Sequence, residues 1–291
     1  MWTPIAEEAE RAARVLHPGA PSMPRPAQRR ILTIANQKGG VGKTTSAVNL
    51  AAGLTSFGMR VLVIDLDPQG NASTALGVEH TSGTPSVYEC LLGEIALTAA
   101  AVESTQSPDL LCVPATIDLA GAEIELVSMV AREQRLKQAL APHILDELDV
   151  DYVLVDCPPS LGLLTVNALV ATSEVLIPIQ CEYYALEGLG QLLSNIELVR
   201  AHLNRDLFVS TILLTMYDGR TKLADQVTNE VRQHFGERVL RTVIPRSVKV
   251  SEAPGFGQTV LAYDPGSRGA MSYMDAAREM VTAQREAESR Q

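Results

Sequence analysis

Apolar residues in this chain fall in short unbroken runs that alternate with stretches of helical spacing. Runs at residues 31–35, 60–65, 110–114, 151–156, 175–179, 209–216 and 239–244 have the length and continuity of strands, most of them covered on both faces. Between the first two, Ala47, Leu50, Ala51 and Leu54 recur at helical spacing, and Gly58 marks the end of that helix. Residues 72–108 carry less pattern: a Ser/Thr-rich turn, a helix around 86–92, then a loop. The spacing predicts one long helix over 118–140, with Leu119, Ala122, Leu126, Val130 and Leu136 on one stripe. Further helices are predicted over 185–203, 222–235 and about 270–288, with a turn at 217–220. Strands alternating with helices predict an α/β fold with a doubly wound, predominantly parallel sheet.

Residues 1–29 stand apart from that pattern as an N-terminal extension, and residues 30–291 form one domain. Ile5, Ala9, Ala12 and Leu16 share a face of a short Glu/Arg/Ala helix, and Pro18, Pro21, Pro24 and Pro26 follow in a linker. The segment reads as a flexible tail, or alternatively as a docking helix for a partner or for the domain surface.

Bulk composition narrows the class. A 46% hydrophobic content suffices for a buried core, and no run of about 18 apolar residues is present to span a membrane. The acidic start 1–8 lacks a signal core, so a cytoplasmic location is expected. Cys90, Cys112, Cys157 and Cys181 are widely spaced and read as core residues in a reducing compartment. A net charge of -10 does not suggest a nucleic-acid binder, so any such contact requires a local patch. One stretch qualifies: residues 238–251 hold Arg238, Arg241, Arg246 and Lys249 without a carboxylate, and Arg220 lies in the preceding turn.

The chemistry concentrates between the first strand and the first helix. Gly39, Gly40 and Gly42 let the backbone around Val41 curl so that successive N–H groups face one anion, and the helix N-terminus adds partial positive charge. Lys43 would reach the β/γ-phosphates, and the Thr44 hydroxyl would ligate Mg²⁺, with Thr45 beside it. Gln37 occupies the place of the first glycine of the standard phosphate loop, and a second lysine, Lys38, stands at the entrance. This is the deviant Walker A form of the P-loop NTPase fold. Asp65 and Asp67 end the second strand, where ligands of doubly wound sheets bind, and Asp156 ends another strand in the Walker B manner.

Together these segments resemble the ParA/Soj family of chromosome and plasmid partitioning ATPases, within the wider ParA/MinD group. The resemblance covers about residues 30–281 and rests on the motifs at 37–45, 65–71, 114–123, 156–160, 180–188, 244–246 and 251–254. It implies a homodimer formed when ATP is bound, with Lys38 reaching the phosphates of the other subunit and Asp67 orienting the attacking water. Lys43 and Thr44 would bind phosphate and Mg²⁺ in cis, and Asp65 and Asp156 would support the metal. Pro245 and Ser247 would line the adenine pocket, with Met216 nearby. The dimer would bind double-stranded DNA non-specifically, chiefly through Arg220, Arg246 and Lys249, making the protein nucleoid-associated. A ParB/Spo0J-like centromere-binding protein would stimulate hydrolysis.

Three other functions make different demands. A MinD-like membrane ATPase needs an amphipathic C-terminal anchor, whereas residues 276–291 are polar and lack Phe, Leu and Trp. An iron–sulfur ATPase needs converging cysteines, which the spacing does not offer. A ligase-like metabolic ATPase is the third.

Overall fold

The computed structural model describes residues 22–183 and 187–288. The tail helix expected around Ile5–Leu16 lies outside the described residues. Eight strands make one sheet: β1 (Arg30–Ile34), β2 (Val61–Asp65), β3 (Val102–Ser104), β4 (Ser107–Val113), β5 (Tyr152–Asp156), β6 (Glu174–Gln180), β7 (Phe208–Tyr217) and β8 (Val239–Pro245). Their order across the sheet is β3-β4-β2-β5-β1-β6-β7-β8, parallel throughout except for the edge pair β3–β4. The predicted doubly wound parallel sheet is therefore present, with β1, the strand before the glycine loop, between β5 and β6.

Alternation along the strands sorts the core into two faces. Val61, Val63, Tyr152 and Leu154 pack with Leu50 and Leu54 of helix Lys43–Thr55 and with Tyr273 and Ala277 of helix Arg268–Glu288. Leu62, Ile64, Val153 and Val155 face the opposite way, toward Leu119, Leu126 and Leu164. The first pair of helices approaches closely at Gly53, where a Cβ would fall 2.8 Å from that of Ala277. Helix Lys43–Thr55 is buried at ten of its thirteen residues, which makes it a rigid mount for the loop at its N-terminus.

The helix expected over 118–140 is broken. Leu119–Val127 is helical, Arg132–Gln134 forms a 3₁₀ turn, and Arg135–Ala139 is a separate short helix. Leu119, Ala122, Leu126 and Leu136 are buried as expected, but Val130 is 89% exposed and Ala131 adopts φ 52°. Asn167 accounts for the break: its Oδ1 accepts from the Leu136 N–H at 3.1 Å and its Nδ2 donates to the Arg132 carbonyl at 2.8 Å. The side chain is fully buried and supplies partners for peptide groups that an unbroken helix would have satisfied itself. Within 72–108 the loop expected after helix Val87–Leu92 contains helix Leu97–Ala100 and the β3–β4 edge. Helix Leu163–Ala171, apolar on nearly every side, gave no periodic signal.

Residues 22–29 are fastened to the domain. The Met23 N–H donates to the Phe57 carbonyl at 2.9 Å, and its side chain packs against the core. The Arg29 guanidinium donates to the Val150 carbonyl at 2.8 Å and pairs with Asp146 at 3.0 Å, while Arg25 pairs with Asp149 at 3.3 Å. Deleting residues 1–29 is therefore expected to lower the melting temperature by about 2–4 °C, roughly what the loss of one kcal/mol produces in a domain of this size. Deleting residues 1–21 leaves all of these interactions in place, and thermal melts of the two truncations measure the difference.

Candidate active site

Parallel strands end together, so the chemistry carried at their carboxyl ends meets on one edge of the sheet. Asp65 and Asp156 are register partners on β2 and β5. The glycine loop crosses above them, with Gly40 at φ 72° and Gly42 at φ 89°, left-handed backbone that a side chain would strain. The loop is pinned from both sides. Asn36 donates from Nδ2 to the Pro178 carbonyl at 2.8 Å and accepts at Oδ1 from the Lys38 N–H at 3.0 Å. The buried Thr215 hydroxyl donates to the Val41 carbonyl at 2.8 Å.

A cavity of about 420 Å³ opens over this loop. Gly39, Gly40, Gly42, Lys43, Thr44 and Thr45 form its floor, and Asp67, Asn71, Pro159 and Met216 its walls. Met216 lines it from a left-handed backbone, φ 52°. The far wall is Val250, Ser251 and Pro254. Pro245 and Ser247, expected on the adenine side, are not among the residues lining this cavity. Ser247 sits at the N-cap position of helix Val248–Glu252, which carries Val250 and Ser251, while Pro254 lies in the 3₁₀ turn that follows. The 251–254 motif held the signal for Ser251 and Pro254, which the residue-level reading did not assign.

Electrostatics make the site a cation and phosphate receptor. The Lys43 ammonium is buried, and desolvation lowers its pKa against the pull of Asp156, Cys157 and Asp67. Asp156 is fully buried, and burial followed by the charge of Asp65 pushes its carboxyl well above the usual carboxylate range. The Thr44 hydroxyl and Lys43 oppose that rise, yet neither carboxylate oxygen has a hydrogen-bond partner of proper geometry within the protein. An unpartnered buried carboxylate costs several kcal/mol unless a cation compensates it. Two oxygen donors, the Thr44 hydroxyl and Asp156, with room left for phosphate and water, fit Mg²⁺, which seldom takes an all-protein cage.

Asp65 differs. Its Oδ2 accepts from the Ser73 N–H at 2.8 Å and the Ser73 hydroxyl at 2.7 Å, and its Oδ1 from the Asp67 N–H at 3.2 Å. Burial still raises its pKa to about 6. Metal support was the part expected of Asp65, but both of its oxygens are engaged by the protein, where they hold the Asp67 backbone and Ser73. Asp67 in turn accepts from the Gln69 N–H at 3.0 Å and presents its side chain to the cavity.

Lys38 is not among the cavity residues. Its ammonium turns to Glu182, 3.7 Å away. The basic residues are also met by acids: Arg220 by Asp218 at 2.7 Å, Arg246 by Glu182 at 3.9 Å, and Lys249 by Glu252 at 3.2 Å. The Arg220 guanidinium holds the Asp218 carboxyl down at about 2. Arg246 and the Arg220 turn are joined, since the Arg246 N–H donates to the Tyr217 carbonyl at 3.0 Å. Thus residues 238–251 lack carboxylates in sequence but not in space. All four cysteines are buried, and desolvation pushes their thiols up, that of Cys90 to about 12.

A protein-family model described as an AAA domain matches residues 29–209. Sporulation initiation inhibitor protein Soj of Bacillus subtilis (strain 168) is 53% identical over 252 residues, 87% of this chain and 98% of its own. The chain belongs to the Soj/ParA family of chromosome partitioning ATPases. The chromosome partitioning protein ParA of Caulobacter vibrioides (strain NA1000 / CB15N) is 50% identical over 90% of this chain and 97% of its own. Among solved structures, cobyrinic acid a,c-diamide synthase from Mycobacterium smegmatis, with bound ADP and magnesium, superposes with a TM-score of 0.74 at 41% identity. The match covers 86% of this chain and 93% of that one. This partitioning ATPase thus carries its phosphate loop and both strand-end aspartates inside the matched region.

Proposed function

We propose that this partitioning ATPase binds ATP and Mg²⁺ in the cavity over residues 39–45 and pairs, when loaded, into a homodimer that holds DNA without sequence preference. Lys43 and the loop N–H groups take the phosphates, and Thr44 and Asp156 would hold Mg²⁺. The metal, when bound, neutralises phosphate charge. Asp67 orients the attacking water. The observation that carries the dimer is Lys38: a lysine at the mouth of the phosphate loop whose ammonium pairs with Glu182 and which is not among the residues lining its own cavity. Its charge is available for phosphates bound by a second copy. An apolar stripe supports the same reading. Ile124 and Val127 are exposed on helix Leu119–Val127 and Ile117 just before it, and Glu123 of that helix accepts from the Leu164 N–H at the start of helix Leu163–Ala171. Size-exclusion chromatography with and without ATP tests it, a doubled mass appearing only with nucleotide; a monomer at saturating ATP sinks the dimer.

DNA is the proposed ligand of Arg220, Arg246 and Lys249. Arg246 and Lys249 are each paired with one exposed acid, and such pairs contribute little, so phosphates can displace them. Arg220 is itself exposed but holds the half-buried Asp218 through two nitrogens, so there phosphate competes with a bidentate pair. The ATP-bound dimer brings two sets together and overcomes the net charge of -10. Replacing Arg220 or Lys249 by alanine is expected to weaken binding on every duplex and to flatten the plot of log K against log salt by about 0.9 for each phosphate no longer neutralised. Filter binding across salt concentrations reads both quantities, and two charge variants that bind like the parent would rule the patch out. A ParB/Spo0J-like centromere-binding protein is the proposed activator of hydrolysis, in the cytoplasm on the nucleoid.

The membrane-associated alternative meets a specific obstacle. The apolar face of helix Arg268–Glu288 is spent on the domain: Ala270, Tyr273, Met274, Ala277, Met280 and Val281 are all buried in the core. Among the described residues no helix is long and apolar enough to cross a membrane. A synthase reading, prompted by the structural neighbour, requires ATP consumption to depend on a carboxylic acid and a nitrogen source, whereas the proposed function requires it to depend on DNA and a protein partner.

A further inference from the structure

Glu182 lies two residues beyond β6 and touches both the phosphate loop and the proposed DNA-binding surface. Gln180, the last residue of β6, donates from Nε2 to Glu182 Oε1 at 2.6 Å and fixes the carboxylate. Oε2 lies 3.7 Å from the Lys38 ammonium, and Oε1 lies 3.9 Å from the Arg246 guanidinium. One carboxylate therefore serves two cations, one from the loop after β1 and one from the end of β8. We propose that Glu182 is a shared counter-ion that keeps Lys38 on its own subunit and must give it up before two copies can pair. It is a positioning residue, not among those that line the cavity. The inference rests on the proposed reading that Lys38 serves the partner's nucleotide.

The physics is a competition. Lys38 has one ammonium, and the nucleotide phosphates of a second copy must outcompete the carboxylate that already holds it. The side chains of Lys38 and Glu182 are 37% and 48% exposed, so water and salt weaken the pair, which makes it a latch that ATP can open. Arg246 draws on the same carboxylate and so loosens its hold on Lys38. The two side chains should then act in opposition: removing the carboxylate helps pairing, and removing Arg246 hinders it by leaving Glu182 wholly to Lys38.

The test uses the full chain, a non-hydrolysable ATP analogue and sedimentation velocity over a range of protein concentrations. Glu182→Gln retains the size of the side chain and removes its charge. It is expected to lower the concentration at which half the chains are dimeric by about two- to tenfold, the scale of exposed ion pairs. The gain should shrink as salt is raised. Arg246→Ala is expected to shift the midpoint the other way, and that shift should vanish when Glu182→Gln is also present. A Glu182→Asp variant, still charged but one methylene shorter, should fall between the parent and Glu182→Gln, and melting curves verify that each variant folds. An unchanged or higher midpoint for Glu182→Gln overturns the proposal, as does an Arg246→Ala effect that persists without the carboxylate. If the parent and Glu182→Gln both stay monomeric with the analogue bound, the dimer reading itself has failed and the latch falls with it.

Discussion

Replacing Lys43 by alanine is expected to abolish ATP binding at ordinary nucleotide concentrations, lowering affinity by about 30-fold to several thousandfold. Lys43 is a buried ammonium on the cavity floor, and the phosphates would be its principal counter-charge. Truncating one partner of a buried, hydrogen-bonded charge pair costs roughly 2–5 kcal/mol, and each 1.4 kcal/mol is a factor of ten. The same change leaves Asp156 beside Asp65 without the ammonium that opposes its raised pKa, so Asp156 should take up a proton more readily. Titration with a fluorescent ATP analogue measures the loss. Lys38→Ala is the comparison, because that lysine faces Glu182 and not the cavity. It should keep ATP binding and lose the dimer. Equal loss of ATP affinity in both variants, with both folded, would overturn the assignment of Lys38 to the partner subunit.

Asp67→Ala should do the reverse, sparing nucleotide binding and stopping turnover. The Asp67 side chain reaches the cavity wall, held by its own turn: the Gln69 N–H bonds its Oδ1, and Asp65 anchors its backbone N–H. A group that positions or deprotonates water contributes typically 10²–10⁴-fold to rate and little to ground-state binding. The expected outcome is an ATP-bound dimer that persists through chromatography while phosphate release falls by about that factor. This locked species is also the form in which DNA affinity is best measured. A variant that binds ATP normally but elutes only as monomer would remove Asp67 from the hydrolytic step and return it to a structural part. Residual hydrolysis near the parent rate would do the same.

The sequence by itself determined the layers and the chemistry at the strand ends. Short, β-branched apolar runs such as 61–65 and 152–156 read as strands covered on both faces, and a parallel sheet places their last residues on one edge. Asp65, Asp67 and Asp156 were therefore legible from the chain alone as neighbours of the glycine loop, and Gly39, Gly40 and Gly42 as the positions where it curls, of which Gly40 and Gly42 take left-handed backbone. Local pattern carries this information because burial and φ are constrained residue by residue.

Tertiary structure alone decided the rest, and in each case the partner comes from a distant segment. The break near Ala131 depends on Asn167, more than thirty residues later, so a stripe that reads as one helix is cut and Val130 is left in solvent. The cavity's far wall is Val250, Ser251 and Pro254 and not Pro245 and Ser247, because helix Val248–Glu252 and the 3₁₀ turn Ala253–Phe256 after it carry the former to the loop. Residues 22–29 look like linker by composition yet are tied to Phe57 and Val150. The stretch 238–251 looks free of carboxylates, yet Glu182 reaches Arg246 across the sheet and takes Lys38 as well. Charge pairing of this kind depends on three-dimensional proximity and leaves no period in a sequence, whereas burial on a strand or a helix face does.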